Sequence, residues 1–221
     1  LRDVDYSLTT RELGDMIKQA GIDFDTLEDE HPDSVLGDYT GAAVIFGTTG
    51  GVMEAALRTA ADVLTGEDLP SFEYKAVRGM EGIKQASVTV PLGGVPTELK
   101  VVVCSSVKHA GEVLDAVRKG ELSCHFIEVM ACPGGCIHGG GQSYVSSTER
   151  MSTDPRLARA DALYSEDERQ VLRKSHQNPE LIELIDKFLG APNSDVAHKY
   201  LHTHYAPRPF YAQKEFGECD D

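Results

Sequence analysis

An apolar run that breaks into two cysteines among glycines constrains this chain more than any other stretch. Residues 126–142 read FIEVMACPGGCIHGGGQ. Phe126 to Met130 has the length and character of a buried strand. Cys132 and Cys136 follow, with Pro133, Gly134 and Gly135 between them and Gly139, Gly140 and Gly141 after them. Glycine lets backbone N–H groups approach a bulky group closely, at an entropic cost. Thiolate is the soft ligand that iron–sulfur clusters and zinc prefer. Spacing alone leaves two readings open. One is a metal or cluster site at the end of a strand. The other is a glycine-rich turn holding two buried free cysteines.

The longer strings carry more. EVMACPGGCIHGGGQ, from Glu128 to Gln142, closely resembles the third H-cluster signature of the iron-only (FeFe) hydrogenases. FGTTGGVMEAALR, from Phe46 to Arg58, resembles the glycine-rich segment of the same catalytic domain. KSHQNP (Lys174 to Pro179) and LHTHY (Leu201 to Tyr205) resemble segments near that domain's C-terminus. The resemblance runs from about Asp3 to Tyr205, and its motifs fall in the family's order.

The resemblance implies that Cys132 and Cys136 are two of the four cysteines that hold the 4Fe-4S cubane of the H-cluster. It implies that Cys136 also bridges to the diiron subsite and that Met130 faces the diiron ligands. A thioether there is soft and apolar, and it excludes water without acting as a strong ligand. Phe46 is expected to pack beside the diiron unit, which makes Cys136, Met130 and Phe46 the expected catalytic residues. Gly47, Thr49 and Gly50 are expected to line the cofactor. Free N–H groups of this turn, at a helix N-terminus, are expected to stabilise an anionic cluster.

The chain also departs from the family pattern. The first two signatures, with the remaining cluster cysteines, a relay cysteine and a lysine, are absent and are expected upstream of Leu1. Ser143 stands where the family has proline, and His138 where a smaller polar residue is expected. The implied activity is reversible reduction of protons to dihydrogen. Ferredoxin or an NAD(P)-linked module is the implied electron partner, and the upstream lobe of the same domain the structural one. Taken alone, the chain is expected to be apo and inactive, with Phe46, Met130 and Ile137 forming an exposed patch. A different class of function is a catalytically silent, hydrogenase-like iron–sulfur assembly or sensory protein. A third is a generic α/β binding module with a buried thiol pair.

Composition narrows the partners. A chain of 221 residues is one domain or one large lobe, long enough for a proper core. Its net charge of −15 argues against nucleic acid and against an anionic membrane surface. No apolar run reaches the roughly 18 residues of a membrane span. The charged N-terminus is not a signal peptide, and five cysteines are no secreted disulfide scaffold, so a reducing cytoplasm is expected. Cys104 and Cys124 read as small buried hydrophobes, and Cys219 falls in the tail. Gly47, Gly50 and Gly51 do not fit a dinucleotide fingerprint. His198 and His202 share a helix face with His204 beyond, but no H-E-x-x-H pattern links them, and a polar helix end is expected.

The expected fold is α/β, with a mostly parallel sheet flanked by helices, a β-hairpin and a helical C-terminal segment. Residues 1–205 form the lobe and 206–221 a polar tail. Thr9 and Glu12 make a capping box ahead of a helix that Gly21 stops. Residues 22–41 read as a surface loop. Strands are expected at Ala42 to Phe46, Phe72 to Arg78, Ala86 to Val90, Leu99 to Cys104 and Cys124 to Met130. The third and fourth pair as a hairpin around Gly93 and Gly94. Helices are expected from Gly51 to near Gly66 and at Val107 to Arg118, Arg156 to Tyr164, Glu166 to Lys174, after Asn178-Pro179, and at Ser194 to Leu201. Strands 42–46 and 124–130 are expected side by side, their C-terminal ends making one cleft.

Overall fold

The computed structural model describes residues 5–31, 36–67, 74–92 and 95–203. The first helix, α1 (Thr10–Gln19), begins at the expected capping box. The Thr9 hydroxyl accepts the Glu12 N–H, and the Glu12 carboxylate accepts the Thr9 N–H. A short helix, α2 (Gly41–Val44), and a 3-10 turn over Ile45–Gly47 stand where a strand over Ala42 to Phe46 was expected. Five apolar residues do not separate a strand from a buried helical turn. The neighbours decide: Gly41 and Ala42 donate to the carbonyls of Leu172 and Arg173. A Cβ on Gly41 would lie 2.0 Å from Asp167 Oδ1, so only glycine allows this approach.

Helix α3 (Gly51–Thr65) is the central element and ends at Gly66, whose positive φ of 71° suits glycine. Its buried residues include Met53, Leu57 and Ala61, but also Glu54, Arg58 and Asp62. A 3-10 turn over Lys75–Val77 replaces the strand expected at Phe72 to Arg78, of which residues 72 and 73 lie outside the described residues. Val77 enters the core, while the Arg78 guanidinium turns to Glu54 and stacks on the Tyr164 ring. Neither placement needs a strand partner.

Strands β1 (Ile83–Leu92) and β2 (Val95–Ser105) form the expected antiparallel hairpin, in register from Ile83 opposite Cys104 to Leu92 opposite Val95. Its turn at Gly93 and Gly94 lies outside the described residues. Helix α4 (Val107–Arg118) matches expectation and crosses back to β3 (Phe126–Met130), which pairs parallel to β2. The sheet order is β1-β2-β3. The α/β class holds, but the sheet is mixed rather than mostly parallel. A hairpin turn commits its strands to antiparallel pairing, whereas a helical crossover permits a parallel one.

Alternation along β2 fills both sides of the sheet. Val101 and Val103 pack with Met53 and Leu57 of α3, and with Val77. Val102 and Cys104 pack with Val113 of α4 and with Ile127 and Cys124. Cys104 is fully buried, as expected of a small hydrophobe, and burial raises its thiol pKa.

Helix α5 (Ser147–Ser152) opens on a second capping box, Ser146 with Glu149. Helix α6 (Pro155–Arg169) is continuous where two short helices were expected, and residues 170–174 are not helical. Ser165 in its middle does not interrupt it. Helix α7 (Pro179–Leu184) starts on the Asn178 carboxamide and continues as a π turn over Ile185–Leu189. Helix α8 (Asp195–Leu201) is capped by Ser194. Compactness divides the chain into Leu1–Glu180 and Leu181–Asp221. Within the second unit, Phe188 and Tyr200 stack at 5.4 Å. The expected tail at 206–221, with Cys219, lies outside the described residues, as does His204. No helix among the described residues is long and apolar enough to cross a membrane.

Helix α3 is locked to α6 and the segment after it by buried charge. Arg58, with no side-chain exposure, makes two bonds to Asp167 and one to Glu54, all of 2.8 Å. Arg173 adds a bond to Asp167 at 2.7 Å. Lys174 Nζ lies 2.7 Å from Asp62, and His176 Nε2 3.0 Å from the same carboxylate. Asp167→Asn is expected to lower the unfolding free energy by about 3–5 kcal/mol, because it removes the buried charge that both Arg58 and Arg173 bond. Asp161→Asn, exposed on the same helix, is expected to cost no more than about 0.5 kcal/mol. Urea unfolding of both variants checks this, and equal losses would show that the buried bridge adds nothing.

Candidate cluster-binding site

Strand β3 delivers the cysteine loop. After Met130 the chain bends, and the Gly135 N–H closes a turn on the Cys132 carbonyl at 3.0 Å. Gly134 and Gly135 have φ of 85° and 97°, backbone that a side chain would strain. A 3-10 turn over Cys136–His138 follows. Cys132 is partly buried and Cys136 exposed, and both thiols are free. The two cysteines therefore do not share one helical turn.

The far limb of the loop is pinned by two arginines. Arg11 of α1 donates to the carbonyls of Gly140 at 2.7 Å and Gln142 at 2.8 Å, and its N–H to that of Gly141. Arg159 of α6 donates to the carbonyls of Ile137 at 2.7 Å and Ser143 at 2.9 Å. The unusual Ser143 is thus held through its backbone, which proline would also offer. His138 is exposed, and nearby the Arg156 guanidinium holds the Asp154 carboxyl down at about 2.

The turn before α3 lies directly against this loop. The Thr49 N–H donates to the Gly134 carbonyl at 3.1 Å. A Cβ on Gly135 would come within 2.7 Å of both Gly47 O and Thr49 N. The two motifs therefore meet, as a shared site requires, although through a turn and not through adjacent strand ends. Around their junction Phe46 is 45% exposed and Met130 is partly buried. Ile137, expected in the same exposed patch, is only 7% exposed, because it turns inward against Gly47.

The helix N-terminus is not free. The Gly50 N–H donates to Glu128 Oε1 and the Met53 N–H to Glu128 Oε2, each at 2.7 Å. The Gly51 N–H is spent on the Thr48 carbonyl. The carboxylate seated at this helix end is Glu128, on β3. Gly50 earns its place sterically, since a Cβ there would lie 2.0 Å from Val77 O. Lys84 of β1 braces the other side, with Nζ 3.1 Å from Thr49 O and 2.9 Å from Gly79 O. Burial lowers its pKa to about 8, against the opposing pull of Glu128. Thr49 Oγ1 is buried and has no hydrogen-bond partner among the described residues.

Sequence reasoning missed Glu128 and Lys84. Glu128 was read as part of an apolar strand, and Lys84 opens a hairpin strand. The available signal was a carboxylate inside a buried-strand pattern, which has to find a partner.

The family model for the iron-only hydrogenase large subunit, C-terminal domain, matches residues 1–140, and that for the iron hydrogenase small subunit matches residues 153–208. The chain is 50% identical over 206 residues to an NADP-reducing hydrogenase subunit, HndD, of Solidesulfovibrio fructosivorans, covering 93% of this chain and 34% of that one. It is 43% identical over 205 residues to iron hydrogenase 1 of Clostridium pasteurianum, covering 93% and 35%. A variant of the [FeFe]-hydrogenase HydA1 from Chlamydomonas reinhardtii superposes with a TM-score of 0.71 at 38% identity, over 91% of this chain and 55% of that one. A more distant relative, cytosolic iron-sulfur assembly component 3 of Mus musculus, is 29% identical over 208 residues, covering 92% and 41%. The chain thus spans about a third of the length of the two hydrogenase relatives.

Lys84 makes the turn's support dependent on pH. Its folded pKa of about 8 lies below the ordinary 10.5, so between those values the unfolded chain binds more protons. For this group, stability rises with pH across that window. The stability difference between the wild type and Lys84→Met is therefore expected to grow from pH 8 to pH 10.5. Denaturant unfolding across that range measures it, and a flat difference would remove Lys84 as a desolvated amine.

Proposed function

The chain belongs to the iron-only hydrogenase family, and from that membership we propose that it is the part of a hydrogenase that supplies two thiolates and one wall of an H-cluster site. The observation that carries this reading is the junction of the two motifs. Two free thiols, Cys132 and Cys136, sit on a loop held by Arg11 and Arg159, and that loop packs against the turn carrying Phe46 and Gly47.

The donor chemistry fits half of the group. A cubane takes four thiolates, and this loop offers two. Cys104 is buried in the core and Cys124 packs against the α4 side of the sheet, so neither completes the set. The remaining ligands are assigned to the rest of the parent protein. When bound, the cluster supplies the iron at which protons and electrons combine into dihydrogen. Cys132 and Cys136 would hold it, with Cys136 as the bridging thiolate. Met130 and Phe46 would exclude water from its surroundings, the thioether without competing as a ligand. Thr49 would offer its hydroxyl, which is buried and has no partner among the described residues. Gly47 and Gly50 serve by letting backbones close up: a Cβ on Gly47 would lie 2.9 Å from Leu163 Cδ1.

Ferredoxin or an NAD(P)-linked module is the proposed electron partner, in a reducing compartment such as the cytoplasm. The NADP-reducing relative at 50% identity favours the hydrogenase reading over an iron–sulfur assembly role, for which the relative is 29% identical.

The test uses the full-length parent protein. Cys136→Ser is expected to abolish hydrogen turnover, and Cys132→Ser to lower iron and acid-labile sulfide. Cys104→Ser, a buried packing change, is expected to keep both. Bound iron and sulfide without any hydrogen turnover in the wild type would favour the assembly reading. Loss of turnover in folded Cys104→Ser would overturn the ligand assignment.

A further inference from the structure

Glu128 caps α3 from a neighbouring strand instead of from the residue ahead of the helix. It is 5% exposed, on a strand whose next residues lead to Met130 and Cys132. Both carboxylate oxygens are committed, one to the Gly50 N–H and the other to the Met53 N–H. A single side chain therefore ties the strand that presents the cysteines to the turn that presents Phe46 and Gly47. An ordinary N-cap lies in the chain just ahead of its own helix. Here the residue before α3 is Gly50, which has no side chain to cap with, and the cap comes from 78 residues away. Glutamine would have nearly the same shape. It would offer one acceptor and one amide donor, and that donor would face a backbone N–H.

We propose that Glu128 is a positioning residue for the cysteine loop: it fixes the Gly47–Gly51 turn against that loop, and its buried negative charge sets the reduction potential of a cluster held there. The second half of the proposal rests on the cluster-binding reading above; the first does not. A fixed negative charge in a poorly solvated place opposes addition of an electron nearby, and its effect is little screened. Lys84, on β1, lies on the other side of the same turn and offsets part of that field.

The experiment compares Glu128→Gln with Glu112→Gln, which removes an exposed charge on α4. In the full-length protein without cluster, hydrogen exchange at Gly50 and Met53 is expected to speed up by about tenfold or more in Glu128→Gln, as loss of a charge-assisted bond implies. Exchange at Val101, Val102 and Val103 should not change. In the loaded full-length protein, Glu128→Gln is expected to move the cluster potential upward, and Glu112→Gln to leave it in place. Unchanged exchange at Gly50 and Met53 overturns the positioning role. Faster exchange with an unmoved potential in Glu128→Gln also overturns the proposal, reducing Glu128 to a helix cap. If Glu128→Gln fails to fold, Glu128→Asp, one methylene too short to hold both N–H groups but still charged, takes its place: exchange at Gly50 and Met53 is expected to speed up while the retained charge keeps the potential near that of the wild type, and unchanged exchange overturns the positioning role. If wild-type protein takes up no cluster, the cluster-binding reading fails, while the exchange result still decides the positioning role.

Discussion

A guanidinium with no access to water holds this lobe together. Arg58 lies inside α3, and desolvating its charge costs several kcal/mol unless partners surround it. Its partners include two carboxylates, Glu54 one turn earlier and Asp167 on α6, and the Arg173 carbonyl. Burial alone would raise the Asp167 carboxyl, but the bonds from Arg58 and Arg173 outweigh it and hold the group below its usual range. Removing either Arg58 or Asp167 takes a buried charged partner from the other, so α3 and α6 support one another. Arg58 falls in the stretch matched to the large-subunit family and Asp167 in the stretch matched to the small-subunit family. The buried bridge is thus one physical join between the two.

The site inherits its rigidity from that join. Helix α3 begins at the turn that meets the cysteine loop, and α6 sends Arg159 to the same loop. Two carboxylates on α3 and β3, Glu54 and Glu128, are buried for different ends. Glu54 neutralises arginines, whereas Glu128 answers backbone N–H groups at the helix N-terminus. Both satisfy the rule that a buried charge needs near neighbours of complementary character. The glycines follow the same logic of close approach. At Gly50 and Gly135 a side chain would strike backbone atoms, so these positions serve contact between the two motifs.

Much of the secondary structure was legible because its signals are local. The capping box at Thr9 and Glu12, the glycine at 66, and the Asn178-Pro179 start each act within one turn of chain. The hairpin alternation and the helix at Val107–Arg118 were equally plain. The errors fell where partners are remote. Residues 42–46 carry a strand's composition but fold as helical turns, because the carbonyls of Leu172 and Arg173 accept the N–H groups of Gly41 and Ala42 at their start. Residues 75–77 turn instead of extending, because Arg78 has to reach Glu54. Helix α6 runs through Ser165, since nothing there forces a break.

The sequence by itself determined the chemistry: two thiols on a glycine loop at the end of a strand, and a second glycine turn opening a helix. Those features are residue types at fixed spacing, and spacing survives without coordinates. Only the tertiary structure decided which groups meet. It placed the turn against the loop, and it turned Ile137 inward while leaving Cys136 outward. It also seated Glu128 at the helix N-terminus. A carboxylate 78 residues away can fill that end only once β3 and α3 lie side by side, and that proximity is a property of the packed sheet.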